Sequence, residues 1–172
     1  MAGAGHLVRR FFGSLLPFGP KADDTVWAEQ QLLPGEVDLW RRMSRADRRH
    51  AAGVARRVEV ALGADAGRPV LAAALLHDCG KTVSGLGTYG RVVATLSAKV
   101  AGRDQAEAWA RTVGFTRRVG LYLQHPQLGA ELLGMAGSAP LTVAWAAEHH
   151  LPAQDWTVPV DVGEVLKAAD DD

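Results

Sequence analysis

The chain has 172 residues with 19 basic and 19 acidic side chains, so its formal net charge is zero. Apolar residues make up 48% and charged residues 22%, which excludes a disordered or fibrous chain and permits a sizeable core. General nucleic-acid binding is not expected, because proteins of that class carry a basic excess that neutralises phosphates. Length and composition therefore predict one globular domain.

Cysteine usage and hydropathy bear on the cellular compartment. Cys79 is the single cysteine, which excludes an intramolecular disulfide and the multi-cysteine zinc and iron–sulfur patterns. No apolar run approaches the ~20 residues of a membrane-spanning helix. A reducing cytoplasm is therefore the expected location, and the oligomeric state stays open.

Residues 1–23 mix Gly, Pro and Phe with basic residues and predict a flexible leader, followed by a domain over residues 24–172. The leader is too short and too interrupted to be a spanning helix or a signal peptide. It could be an amphipathic contact segment for a partner or a membrane surface. The alternative, which we favour, is a mobile leader that packs partly on the domain.

The first predicted helices are short. Asp24 or Thr25 can cap a helix that ends before Pro34, and a second short helix follows. Ser44 then precedes a long helix that ends at Gly63. Every fourth residue of this long helix belongs to one stripe, which consists of His50, Val54, Val58 and Leu62. The spacing predicts an amphipathic helix with a histidine in its apolar stripe.

The run from Pro69 to Asp78 is apolar almost throughout, with Gly80 just past its end, and predicts a central buried helix that carries His77 and Asp78 in its last turn. A buried strand is the alternative, but three consecutive alanines and the length of the run favour a helix.

A glycine-rich loop over residues 84–90 follows. Further helices are predicted at residues 91–100, 104–113, 115–124, 126–135, 140–149 and 160–169. The predicted fold class is all-α, a single helical bundle of about seven to nine helices.

Five of the six histidines lie at the ends or on the apolar faces of predicted helices. A lone histidine in such a position is more often a core residue with satisfied hydrogen bonds than a metal ligand. Burying five imidazoles together, however, would leave many ring nitrogens without partners, and one cation satisfies several of them. The pattern therefore favours a metal site built from His50, His77, His125, His149 and His150.

Asp78 closes an apolar helix, where burial and the helix dipole both disfavour an anion. A divalent cation would supply the compensating positive charge. Lys81 lies three residues further on and offers another positive group. On local spacing alone, a metal ligand and an ordinary Asp–Lys ion pair at a helix end are equal alternatives.

The order of these residues resembles that of a known family. His50, then His77-Asp78, then a later Asp is similar to the H…HD…D signature of the HD-domain superfamily of metal-dependent phosphohydrolases, whose fold is a helical bundle. Four longer segments strengthen the resemblance. They are His77-Asp-Cys-Gly-Lys81 for the HDxGK form, His125-Pro-Gln-Leu-Gly129 for HPxxG, Glu148-His-His150 for the paired histidines and Lys167-Ala-Ala-Asp170 for the terminal (V/A)AD.

The fuller pattern is typical of the HD-GYP-like branch, which binds two metals, but the chain departs from that branch. The Gly-Tyr-Pro tripeptide and the acidic segment after the paired histidines are absent, and residues 151–159 stand in their place. The interval between Asp78 and His125 is also longer. We therefore do not expect this chain to share the cyclic di-GMP substrate of that branch. The resemblance implies only that the substrate is small and phosphorylated.

The resemblance implies a cofactor of one or two divalent transition metals, for which Fe, Mn, Zn and Ni all suit the ligands. It implies that one ion is held by His50, His77, Asp78 and Asp170. It also implies that Asp78 bridges to a second ion held by His125, His149 and His150. Because adjacent residues of a regular helix point in different directions, one of the two neighbouring histidines could serve without touching the metal.

The implied catalytic residues are Asp78, through a metal-activated water, and Lys81, which would steady the phosphoryl oxygens or the leaving group. Asp170 belongs to an acidic triplet, so a frayed acidic tail is the alternative for it. Further substrate contacts could come from Tyr89 and Arg91, or from the basic pair at residues 117 and 118. A mobile loop and a solvated helix face are the alternatives there.

The expected function is therefore that of an enzyme, a metal-dependent phosphohydrolase acting on a phosphate ester or diester, such as a nucleotide or signalling nucleotide. A non-catalytic metal-binding module that acts as a sensor or through protein partners is the first alternative. A di-metal redox or oxygenase site is the second, because His and carboxylate ligands also suit iron oxygenases. Lys81 beside the site favours phosphate chemistry.

Overall fold

A computed structural model describes residues 19–87, 90–95 and 105–171 of the chain. Within these ranges there are ten α-helices with defined bounds and no strand, so the all-α class is confirmed. Residues 90–95 are helical as well. The helices are α1 (Ala22–Gln30), α2 (Pro34–Arg42), α3 (Arg45–Leu62), α4 (Arg68–Leu76), α5 (Lys81–Ser84), α6 (Gln105–Ala110), α7 (Gly114–Leu123), α8 (His125–Met135), α9 (Pro140–Glu148) and α10 (Val160–Asp171).

One of the ten, Lys81–Ser84, is a single turn that was not predicted and that leads into the glycine-rich region. The first helix also begins slightly earlier than predicted, with Lys21 preceding it, so neither Asp24 nor Thr25 is its cap. Most of the predicted leader, residues 1–18, lies outside the described residues. The same holds for residues 96–104, which belong to two of the predicted helices.

The two central helices form for the reasons that the sequence indicates. At the start of α3 the Ser44 hydroxyl accepts a hydrogen bond of 3.1 Å from the backbone N–H of Asp47, and Gly63 ends the helix with a positive φ of 54°. In α4 a proline stands in the first turn and every residue from Val70 to Leu76 is buried. Helix α4 is therefore the centre of the bundle.

The core surrounds α4 on several sides. Its largest fully buried apolar side chains come from α2, α4, α8, α9 and α10, and are Trp40, Trp145, Leu75, Leu76, Leu133 and Leu166. A second, smaller cluster lies between the segment after α5 and helix α7, around Leu86 and Val119. Among the described helices, none combines the length and the apolar character that crossing a membrane requires.

Candidate metal centre

Two helices end at one place in the bundle, where a third helix contributes a carboxylate. Helix α4 ends one residue before His77, α9 ends one residue before His149, and the last turn of α10 carries Asp170. The rings of His77 and His149 lie 5.2 Å apart between centroids, and the Nε2 atom of His77 is 3.6 Å from Oδ1 of Asp170. Because the C-terminus of a helix carries a partial negative charge, this convergence favours a cation.

His77 and Asp78 lie just beyond helix α4 rather than in its last turn as predicted, since residues 77–80 form a turn. His125 reaches the same place from the junction of α7 and α8, where it is the first residue of α8. The turn after α4 and the junction before α8 therefore bring the side chains of His77, Asp78 and His125 to the same place.

Three buried imidazoles are oriented in the same way. The Nδ1 atoms of His77, His125 and His149 lie 2.9, 2.8 and 2.9 Å from backbone carbonyl oxygens three residues earlier. A carbonyl only accepts, so Nδ1–H is the donor, and in a neutral ring Nε2 then presents a lone pair. These three Nε2 atoms are buried and have no hydrogen-bond partner among the described residues. A metal ion satisfies lone pairs of this kind.

The Asp78 carboxylate lies between the imidazoles and faces them with both oxygens. Its Oδ2 is 3.4 Å from Nε2 of His77 and accepts a hydrogen bond from the Lys81 ammonium group. Its Oδ1 is 3.3 Å from Nε2 of His125 and 3.7 Å from Nε2 of His149. One carboxylate therefore divides its oxygens between two groups of histidines, as a bridging ligand does.

The first group consists of His50, His77 and Asp78, whose ligand atoms all lie within 4.8 Å of one another, and the Asp170 carboxylate contacts both of its histidines. His50, in the second turn of α3, places Nε2 2.8 Å from Oδ1 of Asp170. Asp170 is 5% exposed and lies within α10, so it is not part of a frayed tail. The exposed carboxylate is that of its neighbour Asp171, which pairs with a lysine.

The second group consists of His125, His149 and His150, and their ligand atoms also lie within 4.8 Å of one another. The ring centroids of the two adjacent histidines are only 4.0 Å apart, and that of His150 lies 5.2 Å from that of His125. In a regular helix, as the sequence predicts for residues 140–149, adjacent side chains would diverge. Helix α9 instead ends at Glu148, and the turn that follows lets both rings approach His125.

Buried Glu148 fixes the turn that carries the paired histidines. Its carboxylate accepts hydrogen bonds from the backbone N–H of Thr157 at 2.7 Å and from the Thr157 hydroxyl at 2.5 Å. The indole N–H of Trp156 donates to the carbonyls of Glu148 and Leu151 at 3.2 and 3.0 Å. The segment that replaces the expected acidic, glycine-rich stretch therefore folds back onto the end of α9. The structural role of Glu148 was not predicted.

Asp78 and Lys81 hold each other in their charged forms. Burial alone would raise the pKa of Asp78, but the Lys81 ammonium and His77 outweigh it and hold that pKa well below its usual range. Burial alone would lower the pKa of Lys81, but Asp78 outweighs it and raises that pKa. The two groups therefore form a charged pair. The Asp–Lys pair of the sequence argument is present, beside the histidines rather than instead of them.

The pKa values of the buried histidines shift in different directions. Burial lowers the pKa of His125, and burial together with the neighbouring His150 and His77 lowers the pKa of His149 well below its ordinary value. Burial acts on His77 in the same direction, but the carboxylates of Asp78 and Asp170 outweigh it and raise the pKa of His77. Lowered pKa values favour neutral, electron-donating rings for His125 and His149, whereas the carboxylates of the first group favour positive charge at His77.

The glycines of two sequence motifs meet at the site. A Cβ atom added to Gly80 would lie 2.1 Å from the carbonyl oxygen of His125 and 2.6 Å from the backbone N of Gly129. The backbone after Asp78 therefore passes directly against the first turn of α8. This close approach sets the distance between Asp78 and His125.

Two arginines that sequence reasoning offered as substrate contacts have structural roles instead. Arg91 donates to the Asp47 carboxylate at 2.7 Å and to the carbonyl of Leu86 at 3.1 Å. Arg118 donates to the carbonyls of Ser84, at 3.1 Å, and Gly85, and so fastens the end of α5. Arg117, the other member of that basic pair, is exposed, in keeping with a solvated helix face. Tyr89 lies outside the described residues.

Comparisons with models of protein families, with curated proteins and with solved structures gave no match. The function is therefore argued from the side chains of the site.

Proposed function

We propose that this chain is a metal-dependent phosphohydrolase of the HD-domain superfamily that acts on a small phosphorylated substrate, such as a nucleotide. One observation carries the proposal. Three buried imidazoles turn unpartnered Nε2 atoms toward the carboxylate of Asp78, in the tautomer that binds a metal. The Nε2 lone pairs and the negatively charged carboxylate repel each other, and a divalent cation between them removes that repulsion.

The donor set fits two ions. His50, His77, Asp78 and Asp170 would hold one ion, and His125, His149 and His150, with Asp78 shared, would hold the other. Imidazole and carboxylate ligands without thiolate suit Fe, Mn, Zn or Ni. When bound, such an ion lowers the pKa of a water ligand toward neutrality and so supplies a nucleophile for hydrolysis.

Lys81 supports phosphate as the group acted upon. Its side chain is 15% exposed, so it borders the site while contacting Asp78. Because its pKa is raised, it stays an ammonium group that can bind a phosphoryl oxygen or stabilise a leaving oxyanion. A fixed cation at this point favours phosphate chemistry over a redox site on the same ligands.

Hydrolysis by the metal-loaded full chain tests the proposal, and it is measured as p-nitrophenolate release from the nitrophenyl esters and as product nucleotide separated by chromatography from the nucleotides. Bis(p-nitrophenyl) phosphate, p-nitrophenyl phosphate and a panel of nucleotides are incubated with protein loaded with Mn²⁺ or Fe²⁺. We expect turnover of at least one of them, and Lys81→Met to lower kcat about 100-fold or more without loss of metal, because it removes one charge-stabilising group. Lys21→Met is the matched control, since Lys21 is exposed at the start of α1.

Two results would count against the proposal. Metal-loaded protein that leaves every substrate intact would favour the non-catalytic alternative, in which the metal serves a sensor or a partner-binding module. Lys81→Met with unchanged kcat would remove the argument for a phosphoryl-binding role of this lysine.

A further inference from the structure

Helix α3 makes two separate contacts with the last turn of α10. His50 places its Nε2 atom 2.8 Å from the carboxylate of Asp170. Arg57 donates from Nε and Nη2 to the backbone carbonyl of Ala169, at 3.0 and 2.7 Å. His50 and Arg57 are seven residues apart, which is two helical turns, so both side chains leave α3 on the same side. The histidine holds the Asp170 side chain, and the arginine holds the backbone one residue earlier.

Arg57 binds this carbonyl with the fork of its guanidinium group. Two N–H donors and a positive charge converge on one carbonyl oxygen. Arg57 is half-buried, and the carbonyl that it binds belongs to the residue immediately before Asp170. An arginine at this point therefore fastens α10 to α3 next to the Asp170 carboxylate.

We propose that Arg57 is a positioning residue for the metal centre. It fixes the last turn of α10 so that the Asp170 carboxylate stays against His50 and His77, and it thereby sets the affinity of the first ion. The inference rests on the proposed function in one respect, which is that Asp170 ligates a metal. Residues that orient ligating carboxylates typically change metal affinity about 10- to 100-fold when replaced.

Two measurements on the full chain test this role. Hydrogen exchange of the metal-free protein reports whether the last turn of α10 is held, and titration with Mn²⁺ reports the affinity of each ion. In Arg57→Met we expect faster exchange in that turn and binding of one ion weakened about 10-fold or more, with the other ion unchanged. Arg57→Lys keeps a cationic donor but loses the fork, so an intermediate affinity is expected.

Arg56→Met is the matched control. Arg56 is the preceding residue of α3, is similarly half-buried and forms ion pairs with Asp24 and Glu59, away from the metal centre. It should leave exchange in the last turn of α10 and both affinities at wild-type values.

A double-mutant cycle separates positioning from a general loss of stability. If Arg57 acts through Asp170, adding Arg57→Met to Asp170→Asn should weaken Mn²⁺ binding no further than Asp170→Asn alone. Additive losses, or an Arg57→Met protein with wild-type exchange or wild-type affinity, would overturn the role of Arg57. Wild-type protein that takes up no Mn²⁺ would overturn the metal centre itself, and that failure is recognised without any variant.

Discussion

Asp78 and Cys79 are neighbours in sequence with opposite relations to the site. The Asp78 carboxylate faces three histidines, whereas the Cys79 sulfur points away, toward the carbonyl of Gly129 at 3.8 Å. Burial, and then the charge of Asp78, raises the pKa of Cys79 to about 12. The thiol is therefore protonated at neutral pH and acts as a small buried apolar group.

This environment makes the thiol inert in the native protein. Iodoacetamide at pH 8 should leave Cys79 unmodified in the folded chain and modify it fully in urea, because only the thiolate reacts and burial blocks access. Mass spectrometry of the intact protein measures the difference. Rapid alkylation without urea would show that the segment between Asp78 and Gly80 is more open than described here.

Glycines decide how helix α8 approaches the site. The sequence predicted Gly80 as a helix stop and Gly129 as part of a motif, but it could not show that the two backbones touch. A Cβ at Gly80 would meet two backbone atoms of α8, which cannot rotate away as a side chain can. The helix itself would have to move, and His125 with it.

We expect Gly80→Ala to lower the free energy of unfolding by about 1–3 kcal/mol, as overpacking does, and to weaken binding of the ion held by His125 more than that of the other ion. Urea denaturation and Mn²⁺ titration measure the two effects. Gly134→Ala is the control, because Gly134 lies on the same helix and a Cβ there would meet no other atom within 4 Å. Equal stability and affinity of the two variants would contradict the close-approach argument.

The type and order of residues in the sequence predicted the candidate metal ligands better than the residues that hold those ligands in place. Histidines and an aspartate in helical context could be named as ligands because few other roles explain buried polar groups in such numbers. Arg57 could not be singled out, since α3 carries five arginines and only the register against α10 shows which one meets Ala169. Glu148 and the turn after α9 were missed for a similar reason, because a helix end depends on contacts with Thr157, nine residues away.

The fold gathers negative charge at one site, although the chain as a whole has no net charge. Helices α4 and α9 direct their C-termini at this site, which also holds Asp78 and Asp170. Lys81 offsets part of this negative potential, and the remainder favours a divalent cation. With metal bound, the site would become locally positive, which suits a phosphate anion without any broad basic surface.

Metal analysis of the purified full chain, after incubation with Mn²⁺, Fe²⁺ or Zn²⁺ and removal of the free ion, measures how many ions the site holds. We expect up to two equivalents in the wild type and none in Asp78→Asn, because that carboxylate serves both groups of histidines. Asp38→Asn, on the exposed face of α2, should match the wild type. A wild-type chain without bound metal, or an Asp78→Asn chain that keeps it, would contradict the account.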